Sequence, residues 1–449
     1  MEEITLGDGK LSIGGPGEAV EYAVRMREIP ESRFLANMLG GGKVNEEDFR
    51  RLAGKLVDFY NGQPPREEVS GYGLPEMIRV NIDENLTLSR KFIDKTVSQA
   101  AYDALCYFNE RFFSDNRGLF LKRIADGFIK DCHGDLHLDH ISLSPDGICI
   151  FDCIEFNERF RYIDTASDIA FLAMDLDYKG WYGFSRFMVK DISGAMNDAG
   201  IYGVIDFYKC YRAFVRGKVE SIRASEPEVP GDEKRLSLER AKKYFRLALR
   251  YALFGSGPAV IVTFGIIGTG KSTLAAALSE ELSCRAVSSD SVRKEITGTE
   301  PGERRYEGWE SGIYAVDITE KTYREIISRA LTEIEAGGTV VLDASFSRRK
   351  WRDLLLREAG VKGAGVYFVR TTSPIDEVEL RLLRREREGT SVSDAGAAIL
   401  PRFLAEWEEP GEIQRGRYFK ADTRRPVREV LNTLFTDILS SGESSRTKP

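Results

Sequence analysis

Residues 260–272 read VIVTFGIIGTGKS, and this stretch decides how the C-terminal half of the chain folds. Its first five residues are β-branched or apolar, which is typical of a strand buried on both faces. The next eight match the phosphate-binding pattern GxxxxGK followed by Ser or Thr. Apolar residues at helical spacing follow over residues 274–282. This order of strand, glycine-rich loop and helix predicts a site for nucleotide phosphates at a helix N-terminus.

The residues of this loop have separate expected roles. The glycines let backbone N–H groups wrap the phosphates, and Lys271 would reach the β- and γ-phosphates. The Ser272 hydroxyl would bind Mg²⁺. We therefore expect ATP and Mg²⁺ as cofactors. We assign cofactor binding to Gly265, Gly268, Thr269, Gly270, Lys271, Ser272 and Thr273.

A second apolar strand over residues 340–343 ends in a carboxylate, Asp343, which we predict to support Mg²⁺. The residue that follows is Ala344. Motor-type ATPases usually have a glutamate there, which activates water. The absence of that glutamate favours transfer to a bound substrate over hydrolysis.

Residues 286–293 read AVSSDSVR and predict a short strand that runs into a helix. Asp290 and Arg293 are three positions apart and share one helical face near the predicted loop. A carboxylate in this position accepts the proton of an attacking hydroxyl, and an arginine binds phosphate. The alternative is that Asp290 caps the helix at the surface.

A helix around residue 384 carries several arginines, three of which share one face. As a lid over the nucleotide they would neutralise the transferring phosphate and exclude water. The alternative is a solvated face on which they pair with Glu377, Glu386 and Glu388. The three candidate phosphate-binding residues are Arg381, Arg384 and Arg385.

Over about residues 259–435, this set of motifs resembles the P-loop kinases described as AAA-domain predicted kinases, akin to polynucleotide kinase and gluconate kinase domains. The resemblance implies ATP-dependent phosphorylation of a hydroxyl group. It does not name the acceptor, which we expect to be a small molecule.

All three histidines of the chain lie within residues 133–140, which read HGDLHLDH. With Cys132, Cys149 and Cys153 nearby, a zinc site is one interpretation. Against it, Gly134 disfavours a continuous helix, and thiols on one strand face are equally consistent with burial. The other interpretation pairs two carboxylates, Asp135 in this loop and Asp152 after the next strand, as a base and a metal ligand.

The second interpretation resembles the aminoglycoside phosphotransferase family, in which an Asn follows the loop aspartate by five positions. The resemblance implies that Asp135 is the catalytic base and Asp152 the principal Mg²⁺ ligand. It also makes Asp168 a structural acid. This chain has His140 at the Asn position, and imidazole is a poorer partner for Mg²⁺ than oxygen.

The same resemblance predicts that the small lobe is largely missing. We match residues 21–26 to the segment that enters the hinge, so only twenty residues precede it. We expect no glycine-rich strand–turn–strand and no buried strand lysine there. Two explanations stay open, a missing upstream segment and a degenerate kinase.

Together the two resemblances match bacterial bifunctional proteins described as aminoglycoside phosphotransferase-like/ATP-binding. We predict an α/β protein with a protein-kinase-like large lobe over residues 1–254, mostly helical with a small hairpin sheet. A three-layer P-loop NTPase domain with a mainly parallel sheet follows over residues 258–440. Residues 441–449 are predicted to be a disordered tail.

Composition narrows the function further. The 449 residues include 64 Lys and Arg against 71 Asp and Glu, a net charge of −7 that argues against nucleic acid as the main partner. No stretch reaches the ~20 apolar residues of a membrane span, and the start lacks the pattern of a secretory signal. Six scattered cysteines suit a reducing compartment. We therefore expect a cytoplasmic protein without a membrane partner.

Our working hypothesis is a P-loop small-molecule kinase with Lys271 and Asp290 as catalytic residues. One alternative makes the N-terminal domain the phosphotransferase, with Asp135 as its base and the P-loop domain regulating it. Another is a nucleotide-gated binding module whose pseudokinase lobe recruits a partner. The oligomeric state is left open.

Overall fold

The computed structural model describes residues 1–26, 28–64, 66–144, 147–300, 312–388 and 397–442. It combines α-helices with a parallel β-sheet, as predicted for an α/β protein. Residues 443–449 of the predicted tail lie outside the described residues. Within the described ranges, no helix has both the length and the apolar character needed to cross a bilayer.

The chain begins with a three-stranded antiparallel sheet in which the first strand lies in the middle. Its strands are β1 (Glu2–Gly7), β2 (Lys10–Ile13) and β3 (Glu18–Ala23). Asp8 and Gly9, with φ of 50° and 73°, form the two-residue turn between β1 and β2. The prediction that no glycine-rich strand–turn–strand fits before the hinge segment was therefore wrong, because the Asp8-Gly9 turn joins two strands within the first thirteen residues. The strand lysine in this segment, Lys10, is exposed.

Helices dominate the rest of the N-terminal part. They are α1 (Leu35–Gly40), α2 (Glu46–Asn61), α3 (Glu67–Ser70), α4 (Pro75–Ser89), α5 (Gln99–Ala125), α6 (Glu158–Arg161), α7 (Thr165–Tyr178), α8 (Tyr182–Ala195), α9 (Ile205–Arg223) and α10 (Gly231–Phe254). Two short antiparallel pairs lie among them, β4 (Ile129–Asp131) with β7 (Tyr162–Asp164) and β5 (Ile141–Ser144) with β6 (Gly147–Ile150).

The C-terminal part is built on a five-stranded sheet whose neighbouring strands are all parallel. The strands are β8 (Ala259–Phe264), β9 (Arg285–Ser288), β10 (Thr339–Asp343), β11 (Gly365–Thr372) and β12 (Tyr418–Asp422). Their order across the sheet is β12-β11-β8-β10-β9. The helices are α11 (Lys271–Leu282), α12 (Ser289–Thr297), α13 (Val316–Glu335), α14 (Arg349–Val361), α15 (Ile375–Glu388), α16 (Leu400–Ala405) and α17 (Val427–Ser440).

Both faces of this sheet are covered, which explains the continuous apolar run of β8. Val260, Val262 and Phe264 pack in the cluster that contains α13. Ala259 and Ile261 point the other way, into the cluster that contains α11. Alternate side chains of a strand face opposite sides, so a strand between two helical layers needs apolar residues at every position.

The second of these clusters continues across the predicted domain boundary at residues 255–257. It contains Leu105 of α5 and Leu253 of α10 together with Leu278 of α11 and Leu434 of α17. The Ser98 hydroxyl also donates a hydrogen bond of 2.8 Å to a carboxylate of α11. The two parts therefore pack on a shared apolar core, and the limits of the two domains stay a prediction.

Candidate functional site

Three neighbouring strands end at one edge of the parallel sheet and carry the predicted chemistry there. The phosphate-binding loop follows β8, Asp343 is the last residue of β10, and Asp290 lies in the first turn of α12, directly after β9. Since the strands are adjacent and parallel, their carboxyl ends meet. Open α/β sheets bind their ligands at this edge.

The loop has a backbone shape that requires glycine. Gly265, Gly268 and Gly270 have φ of 142°, 78° and 84°. A Cβ on Gly268 would lie 2.9 Å from a methyl carbon of Val378, and one on Gly265 would lie 2.8 Å from a backbone oxygen. The loop is therefore held close to the elements beneath it, and it leads into the N-terminus of α11, where backbone N–H groups favour anions.

Replacing Gly268 with alanine is expected to lower the free energy of unfolding by about 1–3 kcal/mol, because the side chain would be strained at this φ and would clash with α15. Gly257→Ala is the matched control, since a Cβ at Gly257 meets nothing within 4 Å. Denaturant unfolding of both variants checks the prediction. Equal stability of the two variants would contradict the described loop shape.

Two threonines assigned to cofactor binding occupy different settings. Thr269 is buried, and its hydroxyl donates to the Ile266 carbonyl at 2.7 Å, so it braces the loop. Thr273 is exposed in the first turn of α11 and does not line the cavity.

Lys271 is the first residue of α11, and its ammonium group reaches back over the loop to donate to the Ile266 carbonyl at 3.0 Å. Burial lowers the pKa of Lys271, and the negative charges of Asp343 and Asp290 oppose this shift. Burial also raises the pKa of Asp343, against the opposing effects of Lys271 and a hydrogen bond with Ser272. The positive charge of Lys271 and the negative charges of Asp343 and Asp290 thus compensate each other.

The residues assigned to Mg²⁺ fit that ion. Asp343 is 7% exposed and forms a hydrogen bond with the Ser272 side chain, so a carboxylate and a hydroxyl lie together. Mg²⁺ prefers oxygen ligands and is usually bound by one or two protein oxygens together with phosphates and water.

These side chains converge on a cavity of about 530 Å³, a size within the usual range for small-molecule sites. Its polar lining includes Lys271, Ser272, Asp290, Arg293, Asp343 and Arg385. Aromatic side chains line it as well, among them Tyr314, Tyr323, Trp351 and Phe403. Charged groups beside aromatic faces suit a ligand with a phosphate end and a less polar end.

Asp290 and Arg293 both face this cavity. The residue that precedes α12 as its N-cap is Ser288, so Asp290 does not cap the helix. Arg293 is 6% exposed and stacks on the ring of Tyr314 at 4.4 Å. Its Nε has no hydrogen-bond partner among the described residues, and an unpaired buried donor is costly. An anionic ligand in the cavity would supply that partner.

The three arginines of α15 that were predicted to bind phosphate lie in three different environments. Arg385 lines the cavity, and burial together with Arg381 lowers its pKa. Arg381 instead donates to Glu377 at 2.8 Å and to the Thr423 hydroxyl at 3.1 Å, as the ion-pair alternative expected. Arg384 is exposed. Only Arg385 thus reaches the cavity within the described residues, and the side chain of Glu388, another expected partner, lies outside them.

One wall of the cavity was missed by sequence reasoning. The ring of Tyr323 stacks on Trp351, with the planes 7° apart, and its hydroxyl accepts from the Phe346 backbone N–H at 3.0 Å. The fully buried Arg352 donates to the Phe346 carbonyl at 2.7 Å and pairs with Glu412. Together they fix the loop after Asp343. Helical spacing alone predicts only that such aromatics are buried.

The histidine-rich loop of the N-terminal part is held by one buried carboxylate. Asp168 accepts hydrogen bonds from the Tyr60 hydroxyl at 2.9 Å and from the backbone N–H groups of His133 and Gly134 at 3.1 and 2.9 Å. Arg212 donates to the Gly134 carbonyl at 3.1 Å from the other side. Asp168 therefore has the structural setting that the resemblance implied for it.

A cluster of two imidazoles and two carboxylates lies along this loop, and we call it the histidine cluster: Asp135, His137, His140 and Asp152. A carboxylate oxygen of Asp135 is 3.6 Å from Nε2 of His137, and one of Asp152 is 3.2 Å from Nε2 of His140. Burial opposes ionisation of Asp135, but His137 and His140 outweigh it and lower its pKa. Burial lowers the pKa of His140.

The cysteines do not join this cluster. Cys132 is buried, which raises the pKa of its thiol, and it donates to the Ile163 carbonyl. Cys149 and Cys153 are exposed. Among the described residues, the group whose atoms could share a metal is Asp135, His137 and His140, without a thiol.

The Mg²⁺ that the resemblance implies at Asp152 does not fit these donors. The Asp152 carboxylate is 3.2 Å from Nε2 of His140, and the ring of a second imidazole, His137, is 3.9 Å from that of His140. Mg²⁺ requires oxygen ligands in octahedral geometry, and nitrogen donors are poor substitutes.

Comparisons with known proteins support the C-terminal assignment. A family model described as "AAA domain" matches residues 260–410. This match confirms the AAA-type P-loop domain predicted from the glycine-rich loop. The aminoglycoside phosphotransferase-like interpretation of the N-terminal part stays a prediction.

Among solved structures, a gluconokinase from Sinorhizobium meliloti 1021 is 22% identical, covering 41% of this chain and 94% of its own, with a TM-score of 0.31. The Mycobacterium tuberculosis APS kinase CysC, in complex with AMPPNP and APS, is 16% identical and covers 41% of this chain and 98% of its own, with a TM-score of 0.30.

Relatives that match most of this chain are found in mycobacteria. "Uncharacterized protein Rv2004c" of Mycobacterium tuberculosis (strain ATCC 25618 / H37Rv) is 30% identical over 411 residues, which cover 90% of this chain and 79% of that protein. "Uncharacterized protein Mb2027c" of Mycobacterium bovis matches with the same figures, 30% over 411 residues. The chain therefore belongs to the same protein family as these mycobacterial proteins, and it carries an AAA-type P-loop domain at residues 260–410.

Proposed function

We propose that the chain is an ATP-dependent phosphotransferase whose C-terminal domain transfers the γ-phosphate to a hydroxyl group of a small-molecule acceptor. One observation carries this proposal. Lys271, Ser272, Asp343 and Asp290 line one cavity, and this supports the phosphate, metal and base roles that we propose for them. Phosphoryl transfer requires this combination of phosphate positioning, charge compensation and a proton acceptor.

In the proposed reaction, each residue has one task. The loop N–H groups and Lys271 hold the phosphates at the start of α11. Ser272 and Asp343 would hold Mg²⁺, which would supply positive charge to the phosphate oxygens. Arg293 and Arg385 hold the negative charge that spreads over the transferring group.

The acceptor enters beside Asp290. Its oxygen forms a bond to the γ-phosphorus while the bond from that phosphorus to the bridging oxygen of the β-phosphate breaks. The hydroxyl proton passes to Asp290, and the electron pair of the broken bond leaves with ADP. Ala344, which follows Asp343, offers no carboxylate for water, which favours the acceptor over hydrolysis.

A test of this function is ADP release by the purified full chain over a panel of acceptors: sugars, polyols, aminoglycosides, nucleosides and 5′-hydroxyl oligonucleotides. Release that depends on one acceptor class and needs both ATP and Mg²⁺ is the expected result. ADP release that is the same with and without every acceptor would contradict transfer.

A second candidate function has its own support. We propose that the N-terminal part is a protein-kinase-like lobe of the aminoglycoside phosphotransferase type, with Asp135 as its base. The support is the loop fixed by Asp168 and the position of Asp135 beside His140 and Asp152. In this case Asp135→Ala abolishes transfer and Lys271→Ala only retunes it. Tight ATP binding without turnover for any acceptor would instead favour a nucleotide-gated binding module.

A further inference from the structure

His140 lies between two oxygens that only accept hydrogen bonds. Its Nδ1 is 3.0 Å from the backbone oxygen of Asp135, and its Nε2 is 3.2 Å from a carboxylate oxygen of Asp152. A neutral imidazole has one N–H group, so it satisfies only one of these contacts. At the other nitrogen, a lone pair faces an oxygen lone pair, unless a second proton or a metal cation lies between them.

The contact at Nδ1 is a hydrogen bond only in the tautomer that carries its proton there. In that tautomer the Nδ1–H group donates to the Asp135 carbonyl at 3.0 Å, and the Nε2 lone pair is left toward Asp152. Histidines that bind metals usually donate their other N–H group to a backbone carbonyl or carboxylate, which fixes the ring orientation. The His140 ring is held in this way.

The other distances in the histidine cluster are close to those of a metal site. With bonds of about 2.0–2.1 Å, the ligand atoms of a tetrahedral ion are ~3.4 Å apart. The pair of His140 Nε2 and Asp152 is separated by 3.2 Å, and the pair of His137 Nε2 and Asp135 by 3.6 Å. One ligand atom from each of Asp135, His137 and His140 lies within 4.8 Å of the others.

The cluster is also accessible from solvent. The side chain of Asp152 is 74% exposed and that of Asp135 34%, while the two imidazoles are 9% and 15% exposed. The carboxylates are thus more exposed to solvent than the two imidazole rings, so an ion from solvent would meet the carboxylates first. The backbone of Asp152 has φ of 63°, a costly conformation for a residue other than glycine, and such strain occurs most often at functional sites.

We propose that Asp135, His137 and His140 of the histidine cluster bind one divalent transition-metal ion of the zinc type, in place of the Mg²⁺ that the family resemblance implies at Asp152. Two imidazoles with one carboxylate suit Zn²⁺, Co²⁺ or Ni²⁺, whereas Mg²⁺ prefers an all-oxygen set. Asp152 is outside this group of three and contacts it through His140. The site goes beyond the proposed phosphotransfer, since it lies in the other part of the chain. Binding of the ion occupies Asp135 as a ligand, so that Asp135 is then not a free base.

The test uses the full chain after removal of metals. Calorimetric titration with ZnCl₂ and with MgCl₂, together with the visible absorption of added Co²⁺, reports binding without any activity assay. The expected result is one Zn²⁺ per chain, bound at least ~100-fold more tightly than Mg²⁺. Equal affinity for Zn²⁺ and Mg²⁺, or no binding of Zn²⁺ and Co²⁺, would overturn the proposal.

Variants assign the ion to the cluster. His137→Ala and His140→Ala are each expected to weaken Zn²⁺ binding by ~100-fold or more, since even loss of a partner outside the ligand set costs 10–100-fold. Glu155→Gln, an exposed carboxylate three residues beyond Asp152, is the matched control and should bind as the wild type does. The double variant Cys149→Ser/Cys153→Ser should also bind Zn²⁺ as the wild type does. Loss of Zn²⁺ binding in this double variant would assign the ion to the exposed thiols instead.

His140→Asn keeps the test decisive if an alanine variant fails to fold. Asn is the residue that the aminoglycoside phosphotransferase pattern has at this position, and its amide offers an oxygen in place of the imidazole nitrogen. The ratio of Zn²⁺ affinity to Mg²⁺ affinity should therefore fall by at least ~10-fold. Thermal unfolding of the metal-free variant confirms that it is folded. An unchanged preference in a folded His140→Asn protein would show that the cluster is not the site.

Discussion

Replacing Lys271 with alanine is expected to reduce ATP-dependent phosphotransfer by about 10²–10³-fold, the usual cost of removing one preorganised charge from a transition state. Lys271 is half-buried at the start of α11, and its ammonium group already donates to the Ile266 carbonyl near Asp343 and Asp290, so it is positioned before the nucleotide arrives. Steady-state rates of ADP formation at saturating acceptor measure the loss.

Asp135→Ala is the companion variant for this measurement, because it removes a carboxylate of the N-terminal part that is outside the C-terminal cavity. It should retain the wild-type transfer rate. If Lys271→Ala keeps more than about a tenth of the activity, well above the expected loss, while Asp135→Ala loses it, then the chemistry belongs to the N-terminal part.

Asp290→Asn is expected to lower kcat by about 10²–10⁴-fold, the range for loss of a general base, with little change in the KM for ATP. The amide keeps the shape of the carboxylate but does not accept the proton of the acceptor. Asp290 lines the cavity and lies close enough to Lys271 and Asp343 to influence their pKa values, and in the proposed reaction Lys271 makes the contact with the nucleotide. Binding of ATP and chemical transfer should therefore separate in this variant.

Asp317→Asn is the matched control for Asp290→Asn. Asp317 is also an aspartate in the first turn of a helix in the same domain, but it is exposed and does not line the cavity. Its rates should equal those of the wild type. A full kcat for Asp290→Asn would rule out Asp290 as the base, and an equal loss in both variants would indicate a general effect of lost charge.

The site residues that could be predicted from the sequence are those whose position depends on the conformation of the nearby backbone. Gly265, Gly268 and Gly270 predict the phosphate-binding loop, because the positive φ values and close contacts at these positions favour glycine. Asp343 and Asp290 were predictable for a similar reason, since Asp343 ends one strand of the parallel sheet and Asp290 lies in the helix turn that follows another. Parallel strands bring their ends together whatever lies between them in the chain.

Contacts between distant segments were not predictable in the same way. Spacing placed Arg381 and Arg385 on one face of α15, but the packing of Leu382 against the loop at Gly268 determines how that helix is rotated. Only Arg385 consequently reaches the cavity. Likewise, no local pattern predicts that α17 packs on α5, more than 300 residues earlier in the chain.

The N-terminal part shows the risk of relying on a resemblance alone. Asp8-Gly9 is a hairpin signal in the sequence, yet the expectation of a missing lobe led to the prediction that no glycine-rich strand–turn–strand precedes residue 21. His140 was recognised as a departure from the family pattern. The position of His137 beside Asp135 was not predicted. It depends on the hydrogen bonds by which Asp168 holds the loop, and Asp168 is more than thirty residues away in the chain.

The most direct test of the central claim follows the γ-phosphate itself. ATP labelled at that phosphate is incubated with the acceptor that the panel identifies, and the labelled product is measured for the wild type, Lys271→Ala, Asp290→Asn and Asp135→Ala. If the C-terminal cavity performs the transfer, label reaches the acceptor with the wild type and Asp135→Ala and is lost with the other two. Label that persists in Lys271→Ala and Asp290→Asn but disappears in Asp135→Ala would contradict this assignment.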